Sequence, residues 1–157
     1  MTTIAYKDGV IARDSRSTDP IGYIISDKEE KMVQRNGITF FCYGNATEIE
    51  MLLNAYFGEK ADLDVPANIE TYVVDVSAFV IEEGKLYTVG MDHKGVFKNK
   101  CMRDEIYAFG SGGDIAIGAM EMGASAAEAV EVSKRRDSKT GGEVKTFTLH
   151  EEIIQIL

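Results

Sequence analysis

The opening residues of the chain could supply both parts of a nucleophilic centre. Thr2 follows Met1, and removal of that methionine would leave a free amine beside the Thr2 hydroxyl. A threonine hydroxyl is a weak nucleophile near neutral pH and needs a base to take its proton. A free α-amine has a pKa of about 7.7 to 8.0, so part of it is neutral and able to act as that base. Threonine is small enough for a methionine aminopeptidase to trim Met1, and no propeptide precedes it, so we expect a mature chain that begins at Thr2.

Four later features carry polar groups that could support such a centre. Asp14 lies in the apolar run VIARDS, Lys31 closes the charged run DKEEK, GSGG covers 110–113 and DSKTGG covers 137–142. Each also has an ordinary structural interpretation, as a turn carboxylate, a solvated lysine, a loop and a helix end with a glycine cap. Taken singly, none of them indicates a reaction.

Other common catalytic motifs are absent from the sequence. GSGGDI has Ile115 where a dinucleotide-binding motif needs its last glycine, and there is no P-loop. Phe109 occupies the position of a glycine in a nucleophile elbow around Ser111. His93 and His150 lack HExxH spacing, and a serine–histidine–aspartate triad would have to use one of them. A nucleophile that needs no histidine therefore suits this chain.

Composition and charge narrow the class of protein. The 157 residues, 45% hydrophobic and 27% charged, predict one soluble globular domain over 1–157. A net charge of −9 disfavours nucleic acid or an anionic membrane as a partner, since the one basic cluster is KRR at 134–136. No apolar run approaches the roughly 18 residues of a membrane span, and a secretory signal pattern is lacking, so we expect a cytoplasmic protein. Cys42 and Cys101 lack zinc-site spacing, and we expect reduced thiols, no metal and no cofactor.

Hydrophobic periodicity and turn residues predict the secondary structure. Strands are expected at 2–7, 10–15, 21–26 and 38–43, in two halves of 71–92 that meet at a Glu83-Gly84 turn, and once or twice within 143–157. The first two should form an antiparallel hairpin through Asp8-Gly9. Helices are expected at 46–59 with a Gly58 cap, at 114–123, and at 125–137 with a Ser125 and Glu128 capping box. Residues 60–71, which include Pro66, should form a connector.

The order of these elements predicts the fold class. Runs of strands are separated from runs of helices, in the order ββββ, α, ββ, αα, ββ, which favours an α+β fold with antiparallel sheets covered by helices. Two such sheets between helix layers, a four-layer αββα sandwich, would satisfy the count.

Taken together and in order, the short motifs resemble the proteasome β-subunit and the bacterial HslV peptidase, which are N-terminal nucleophile (Ntn) hydrolases. The matching segments are the opening TT, VIARDSRST, EKMVQR, FGSGG and KRRDSKTGG, and the resemblance runs from Thr2 to about Leu149. The last segment is the most specific, because the family often shows basic residues, then Arg-Asp-Ser, two more positions and Gly-Gly. The resemblance implies the αββα Ntn hydrolase fold.

The resemblance also implies a set of catalytic residues. They are Thr2, Asp14, Lys31, Ser111, Asp137 and Thr140. Lys28 is a weaker choice for the site lysine, because the family's lysine directly precedes an apolar pair, as Lys31 precedes Met32-Val33. Thr140 stands where the family usually has a serine and keeps the hydroxyl.

In the mechanism that the resemblance implies, each of these residues has a role. Lys31, held by Asp14, acts as a fixed positive charge that lowers the pKa of the Thr2 hydroxyl and amine. Ser111, with Asp137 and Thr140, orients the amine and relays its proton. The substrate's carbonyl is attacked to give an acyl-threonine ester, which water then hydrolyses.

Two places depart from the family pattern. Where the family has a glycine whose N–H lines the oxyanion hole, this chain reads FFCYGNA and leaves Phe41, Cys42 and Gly44 as candidates. The family also has two long helices before its second sheet, whereas this chain offers one helix and the connector at 60–71. We therefore expect one helix to be shortened or missing.

The expected function is a threonine-type endopeptidase that cleaves proteins or peptides inside a homo-oligomeric ring. The resemblance implies stacked rings of six or seven subunits and an ATPase unfoldase as a partner. Two alternatives stay open. The missing helix and FFCYGNA would fit an inactive scaffold or assembly protein, and the short chain would fit an Ntn amidase that acts on a small substrate.

Overall fold

A computed structural model of the chain describes residues 2–58, 74–92 and 94–149. The strands are β1 (Thr3–Lys7), β2 (Val10–Arg13), β3 (Ser17–Thr18), β4 (Ile24–Ser26), β5 (Met32–Arg35), β6 (Ile38–Tyr43), β7 (Ser77–Glu82), β8 (Lys85–Asp92), β9 (Gly95–Lys100), β10 (Tyr107–Gly110) and β11 (Lys145–Thr148). The helices are α1 (Ala46–Tyr56), α2 (Gly113–Glu121) and α3 (Ala126–Arg136).

The strands form two large antiparallel sheets and one small hairpin. The first sheet has the order β10-β1-β2-β11, the second has the order β5-β6-β7-β8-β9, and β3 pairs with β4. Strands β1 and β2 meet at Asp8 (φ 51°) and Gly9 (φ 79°), whose positive φ angles suit a tight hairpin turn. The hairpin predicted through Asp8-Gly9 is therefore confirmed.

The two sheets pack face to face and give the chain its central core. Side chains alternate between the faces of a strand, so Ile4 and Tyr6 of β1 point towards the second sheet and contact the cluster that contains Phe41 and Phe79. Both of these phenylalanines are fully buried. The layer between the sheets is rich in aromatic side chains.

Helices cover the outer face of each sheet. Met51 and Leu52 of α1 pack with Phe40 and Val80 on the second sheet. On the first sheet, small residues such as Ala5 let α2 and α3 approach closely, and Ala5 packs in the same cluster as Ala116, Ala129 and Val130. The layers are therefore α, β, β and α, which confirms the predicted α+β sandwich.

Helix ends follow the predicted signals closely. Ser125 and Glu128 form the capping box at the start of α3. Helix α1 begins after Asn45, whose side chain accepts a hydrogen bond from the Glu48 N–H, and Gly58 follows its end with φ +71°. The predicted connector at 60–71, any second helix there, and the segment after 149 lie outside the described residues.

Several strand predictions were incomplete. The prediction missed β3, β5, β9 and β10, and only Ile24–Ser26 of the run predicted at 21–26 is strand. Strand β5 (MVQR) has two apolar residues followed by two polar ones, so it shows no apolar alternation. A turn at Asn36-Gly37 pairs it with β6. Strand β10 has four residues, ends at the first glycine of GSGG and pairs with β1. So short a run next to a glycine loop gives no hydrophobic pattern that predicts a strand.

Candidate active site

Thr2, Asp14 and Lys31 form one contact cluster at the end of the first sheet. Lys31 Nζ donates to Asp14 Oδ1 at 2.8 Å and to the Arg16 carbonyl oxygen at 2.7 Å. The same Nζ donates to Thr2 Oγ1, and Thr2 Oγ1 donates to Asp14 Oδ1. Thr2 is 3% exposed and Asp14 is 1% exposed. A hydroxyl, an ammonium and a carboxylate thus meet at a nearly buried point.

Chain geometry explains why these residues meet. Thr2 stands immediately before β1, Asp14 immediately after β2 and Lys31 immediately before β5. The antiparallel β1–β2 hairpin brings its two open ends together, and the Asp14 N–H donates to the Thr3 carbonyl at 3.3 Å. The Cys42 N–H donates to the Lys31 carbonyl at 3.1 Å and fixes the start of the second sheet beside that end.

Backbone N–H groups hold the Asp14 carboxylate in place. Oδ1 accepts from the Thr3 N–H at 3.1 Å, and Oδ2 accepts from the Gly141 N–H at 3.0 Å and the Arg16 N–H at 3.3 Å. Together with the Lys31 ammonium, these three N–H groups fix the position of both carboxylate oxygens. Asp14 is therefore a rigid anchor for the Lys31 ammonium.

Ser111, Asp137 and Thr140 form a second polar cluster next to the first. Ser111 Oγ donates to Asp137 Oδ2 at 2.5 Å, and Thr140 Oγ1 donates to the same oxygen at 2.6 Å. Ser111 Oγ lies 3.5 Å from the Thr2 carbonyl oxygen. Thr140 Oγ1 lies 2.7 Å from Thr3 Oγ1, so its contact is with Thr3 rather than with the Thr2 side chain. The structure brings all six sequence-predicted residues into one region.

Lys28 does not join either cluster. It is exposed, and its backbone N–H donates to Ser26 Oγ. The lysine at the Thr2 hydroxyl is Lys31, as the apolar pair after it indicated.

Two glycines allow the loop after β10 to approach Thr2 and Thr3. A Cβ at Gly110, where φ is +99°, would lie 1.8 Å from the Thr2 carbonyl oxygen. A Cβ at Gly112 would lie 2.1 Å from Thr3 Oγ1. The GSGG segment is therefore a close-packed support for the first residues and not only a flexible loop.

Burial shapes the electrostatics of the site. Burial lowers the pKa of Lys31 below the value of an ordinary lysine, and the Asp14 charge and hydrogen bond oppose that shift. Burial would raise the pKa of Asp137, but the hydrogen bonds from Ser111 and Thr140 outweigh it and hold the pKa below its usual value. Asp137 therefore stays ionised as an acceptor between two hydroxyls.

A cavity of about 690 Å³ opens beside the first cluster. Thr2 and Lys31 line it, together with Cys42 and Gly44, whereas Phe41 is fully buried in the inter-sheet core. Because the Cys42 N–H already donates to the Lys31 carbonyl, Gly44 is the candidate of the three that best fits a backbone donor at the cavity.

Sequence reasoning missed three contributors to the site. Thr3 binds both clusters, through its N–H to Asp14 and through its hydroxyl to Thr140. The Arg16 carbonyl oxygen accepts a hydrogen bond from Lys31 Nζ, and the Gly141 N–H donates one to Asp14 Oδ2. These contacts are made largely by backbone groups, which carry no residue-type signal, although the doubled threonine at the start was a hint.

The described part of the chain contains no group of three or more histidine, cysteine or acidic side chains that could hold a metal ion. Among the same residues, no helix has the length and apolar character needed to cross a membrane.

Comparison with solved structures places the fold. The chain superposes on Thiobacillus denitrificans BPH with a TM-score of 0.60 and 24% identity, over 96% of this chain and 98% of that one. BPH in complex with epoxomicin gives a TM-score of 0.59 at 24% identity, over 95% and 98%. Eukaryotic HslV from Trypanosoma brucei gives 0.63 at 16% identity, over 96% and 99%. The fold is of the HslV and proteasome type.

These structures match the chain over nearly its whole length, so the likeness covers both sheets and their helices. No protein-family model matches the sequence, and no curated protein does. At 16% to 24% identity the likeness concerns the fold, and the chemistry has to be argued from the site itself.

Proposed function

We propose that this protein is a threonine-type endopeptidase whose nucleophile is Thr2 in a chain that has lost Met1. The observation that carries the proposal is the contact of Thr2 Oγ1 with both Lys31 Nζ and Asp14 Oδ1 at the wall of a cavity. A hydroxyl held by a buried ammonium is poised to lose its proton, because a nearby positive charge favours the alkoxide.

The reaction begins with attack by the Thr2 hydroxyl oxygen on the carbonyl carbon of a peptide bond. The hydroxyl proton passes to the neutral α-amine of the same residue, and the resulting ammonium gives a proton to the leaving amine as the C–N bond breaks. This leaves an acyl ester on Thr2. The amine next takes a proton from water, and the hydroxide attacks the ester carbonyl. The ammonium returns the proton to the Thr2 oxygen as the ester bond breaks, which releases the acid and restores the hydroxyl and the neutral amine.

Lys31 acts throughout as an electrostatic group. Its ammonium donates to Thr2 Oγ1 and stays close to Asp14, so the positive charge keeps one position. The Lys31 side chain is 8% exposed, and a charge screened so little by water acts strongly on its neighbour. Asp14 is a positioning residue that keeps this charge in place.

Ser111, Asp137 and Thr140 form the proton path for the amine. The serine hydroxyl is next to the Thr2 backbone and in contact with Asp137, which keeps the hydroxyl oriented. Thr140 completes the support by joining Asp137 to Thr3.

The oxyanion of the tetrahedral intermediate is bound by the Gly44 N–H. Gly44 lines the same cavity as Thr2 and has φ +139°. The Gly44 backbone lies close to the segment that leads into β7. A Cβ added at Gly44 would lie 3.1 Å from the Asp75 carbonyl oxygen. Loss of one such donor costs about 3 kcal/mol of transition-state stabilisation in other hydrolases.

The enzyme works in the cytoplasm as a homo-oligomeric ring that encloses the active sites, with an ATPase unfoldase as the partner that supplies protein. The likeness to HslV supports ring assembly. The β3–β4 hairpin adds a physical reason, because Ile21, Tyr23, Ile24 and Ile25 are 53% to 82% exposed. Large apolar side chains that are exposed so close together in the chain favour an interface.

A fluorogenic peptide assay tests the proposal, with Thr2→Ala as the inactive control and Thr2→Ser as the conservative variant. Thr2-dependent cleavage supports the peptidase. Equal background in wild type and Thr2→Ala would contradict it and leave an inactive scaffold. Light scattering tests assembly, since a stable 17.3 kDa monomer would have no chamber and would favour an amidase on small substrates.

A further inference from the structure

An ion pair closes the base of the β3–β4 hairpin. Ser17 pairs with Ser26 in that hairpin, so the residues just outside them, Arg16 and Asp27, stand opposite each other. Arg16 Nε donates to Asp27 Oδ1 at 2.8 Å, and Arg16 Nη2 donates to Asp27 Oδ2 at 3.1 Å. A bidentate pair of this kind fixes the plane of the guanidinium as well as its position.

The DSKTGG segment at 137–142 holds the same pair from the other side. Arg16 Nη1 donates to the Ser138 carbonyl oxygen at 2.9 Å. The guanidinium lies against Gly141, where an added Cβ would be 2.3 Å from Arg16 Cζ. At Gly142, where φ is +75°, an added Cβ would be 2.6 Å from the Asp27 carbonyl oxygen. The two glycines therefore leave the room in which the Arg16–Asp27 pair lies.

The backbone around this pair contacts both charges of the Lys31–Asp14 ion pair. The Arg16 carbonyl oxygen accepts from Lys31 Nζ at 2.7 Å, and the Arg16 N–H donates to Asp14 Oδ2 at 3.3 Å. The Gly141 N–H donates to the same Asp14 oxygen at 3.0 Å. A displacement of the guanidinium would therefore move one acceptor of Lys31 and two donors of Asp14.

Stability alone is a weak reason for the Arg16–Asp27 pair. The Arg16 side chain is 20% exposed and that of Asp27 is 43% exposed, and ion pairs with this much exposure contribute little to the free energy of folding. Among the described residues, Arg16 belongs to the wall of the cavity beside Thr2 and Asp27 does not. An effect of Asp27 on the reaction would therefore pass through Arg16.

We infer that Arg16 and Asp27 are positioning residues, an inference that rests on the proposed peptidase function. Their ion pair fixes the Arg16 carbonyl and the Gly141 N–H at the places from which they direct the Lys31 ammonium towards Thr2. Because Ser138 and Gly141 belong to the segment that carries Asp137 and Thr140, the pair also joins the two polar clusters of the site.

Three variants disturb the pair in different ways. Arg16→Lys keeps the positive charge but lacks the planar fork that binds both carboxylate oxygens and the Ser138 carbonyl. Asp27→Asn removes the negative charge and keeps the shape. Gly141→Ala adds a methyl group where the guanidinium lies, and since φ at Gly141 is not positive, alanine fits the backbone there.

Each variant has a matched control. Arg35→Lys and Glu50→Gln change a partly exposed ion pair of 3.3 Å between β5 and α1. Gly118→Ala adds a methyl group that meets no atom within 4 Å. None of these control residues lines the cavity in the part of the chain that the structure describes.

The first readout is the kinetics of a fluorogenic peptide, with Thr2→Ala as the background. In all three variants kcat should fall by about tenfold, because a small misplacement of a catalytic charge costs at least that much. KM should change by less than about twofold, since the pair does not bind the substrate. The midpoint of thermal unfolding should change little, and the controls should behave as wild type.

The second readout is the dependence of kcat on pH. Besides the Arg16 guanidinium and the Thr2 amine of the mature chain, the charged groups close to Lys31 are the carboxylates of Asp14, Asp27, Glu29 and Asp137. Arg16→Lys and Gly141→Ala change none of these charges. Because a displaced acceptor favours the Lys31 ammonium less, the alkaline decrease of kcat should move to lower pH in both variants.

The possible outcomes separate this inference from the proposed function. Thr2-dependent cleavage with wild-type kcat and pH profile in Arg16→Lys and Gly141→Ala would overturn the inference and leave the peptidase standing. A rise in KM at unchanged kcat would overturn it too, and would make Arg16 a substrate contact. Loss of activity in proportion to loss of folded protein would reduce the pair to a structural role. Absence of Thr2-dependent cleavage by wild type would remove the proposed function and this inference together.

Discussion

Lys31 and Asp14 form an ion pair of 2.8 Å in which the lysine side chain is 8% exposed and the aspartate side chain is fully buried. A buried pair is poor evidence of stability in itself, because taking both charges out of water costs about as much as their attraction returns. Removal of one partner is different, since it leaves the other charge buried and uncompensated. The stability of variants that lack one partner therefore tests whether this ion pair anchors the site.

Asp14→Asn should lower the free energy of unfolding by about 3 to 5 kcal/mol, because the Lys31 ammonium loses its partner. Urea denaturation measures the change. Glu50→Gln is the control, since the Arg35–Glu50 pair is exposed and such pairs contribute little. Equal effects of the two variants would contradict the account of Asp14 as an anchor.

A second prediction concerns the glycine that supports Thr2. Gly110→Ala should destabilise the fold by on the order of 2 kcal/mol or more, because a Cβ would collide with the Thr2 carbonyl at φ +99°. Peptide cleavage should fall with it, since Thr2 is displaced. Gly118→Ala is the matched control: no atom lies within 4 Å of its added Cβ, and alanine in a helix should gain up to about 1 kcal/mol. A tolerated Gly110→Ala would show that the GSGG loop does not position Thr2.

The fold was largely predictable because its strongest signals are local. The Asp8-Gly9 turn, the Ser125 cap and the 38–43 apolar run each specify one element by themselves. Strands β5 and β9 are the two edge strands of the second sheet; each has an apolar pair near its start and continues with polar residues, so neither shows the alternation typical of a strand. The Asn36-Gly37 turn that joins β5 to β6 is a hairpin signal, but the four residues before it are too short and irregular a run to predict a strand by themselves.

The sequence predicted which side chains form the candidate site, but it did not predict which backbone N–H groups hold them. Asp14 and Lys31 belong to short motifs, whereas the donors at Thr3 and Gly141 are N–H groups that any residue type supplies. Which of Phe41, Cys42 and Gly44 supplies the oxyanion donor depends on which of their N–H groups is already hydrogen-bonded within the sheet. The register of the strands decides that, and the sequence does not show the register.

The third prediction is a pH dependence with opposite signs for activity and stability. Burial lowers the pKa of Lys31 below 10.5, so the folded protein loses this proton at a lower pH than the unfolded chain. Between the two pKa values the unfolded chain binds more protons, and this group's contribution to the free energy of unfolding rises with pH. Catalysis needs the charge, so kcat/KM should fall in the same window.

As the pH is raised, activity should first increase as the Thr2 amine loses its proton, at or below about pH 8. At higher pH activity should decrease as Lys31 loses its proton, with the midpoint of this decrease below pH 10.5. The measurement is kcat/KM against pH beside the midpoint of thermal unfolding. An alkaline fall in activity that tracks loss of folded protein would contradict the assignment to Lys31. Lys28→Met should leave the whole profile unchanged, since that lysine is exposed and outside both clusters.

The fourth prediction concerns the hydroxyl that joins Asp137 to Thr3. Thr140→Val removes it and leaves the fully buried Thr3 hydroxyl without that contact, at a cost of about 1 to 3 kcal/mol. Cleavage should fall by about tenfold, which corresponds to about 1.4 kcal/mol in the barrier. Thr140→Ser keeps the hydroxyl and should stay near wild type in both measurements. A Thr140→Ser variant as impaired as Thr140→Val would mean that the methyl group, and not the hydroxyl, matters.

The most direct test is intact-mass and peptide-level mass spectrometry of active enzyme after reaction with a peptide epoxyketone. Its ketone and epoxide are electrophiles for a hydroxyl and for an adjacent free amine, so it reports both groups at once. We predict chains that lack Met1 and carry one inhibitor on Thr2, with no labelling of Thr2→Ala. Active chains that retain Met1, or equal labelling of wild type and Thr2→Ala, would contradict the central claim that Thr2 is an N-terminal nucleophile.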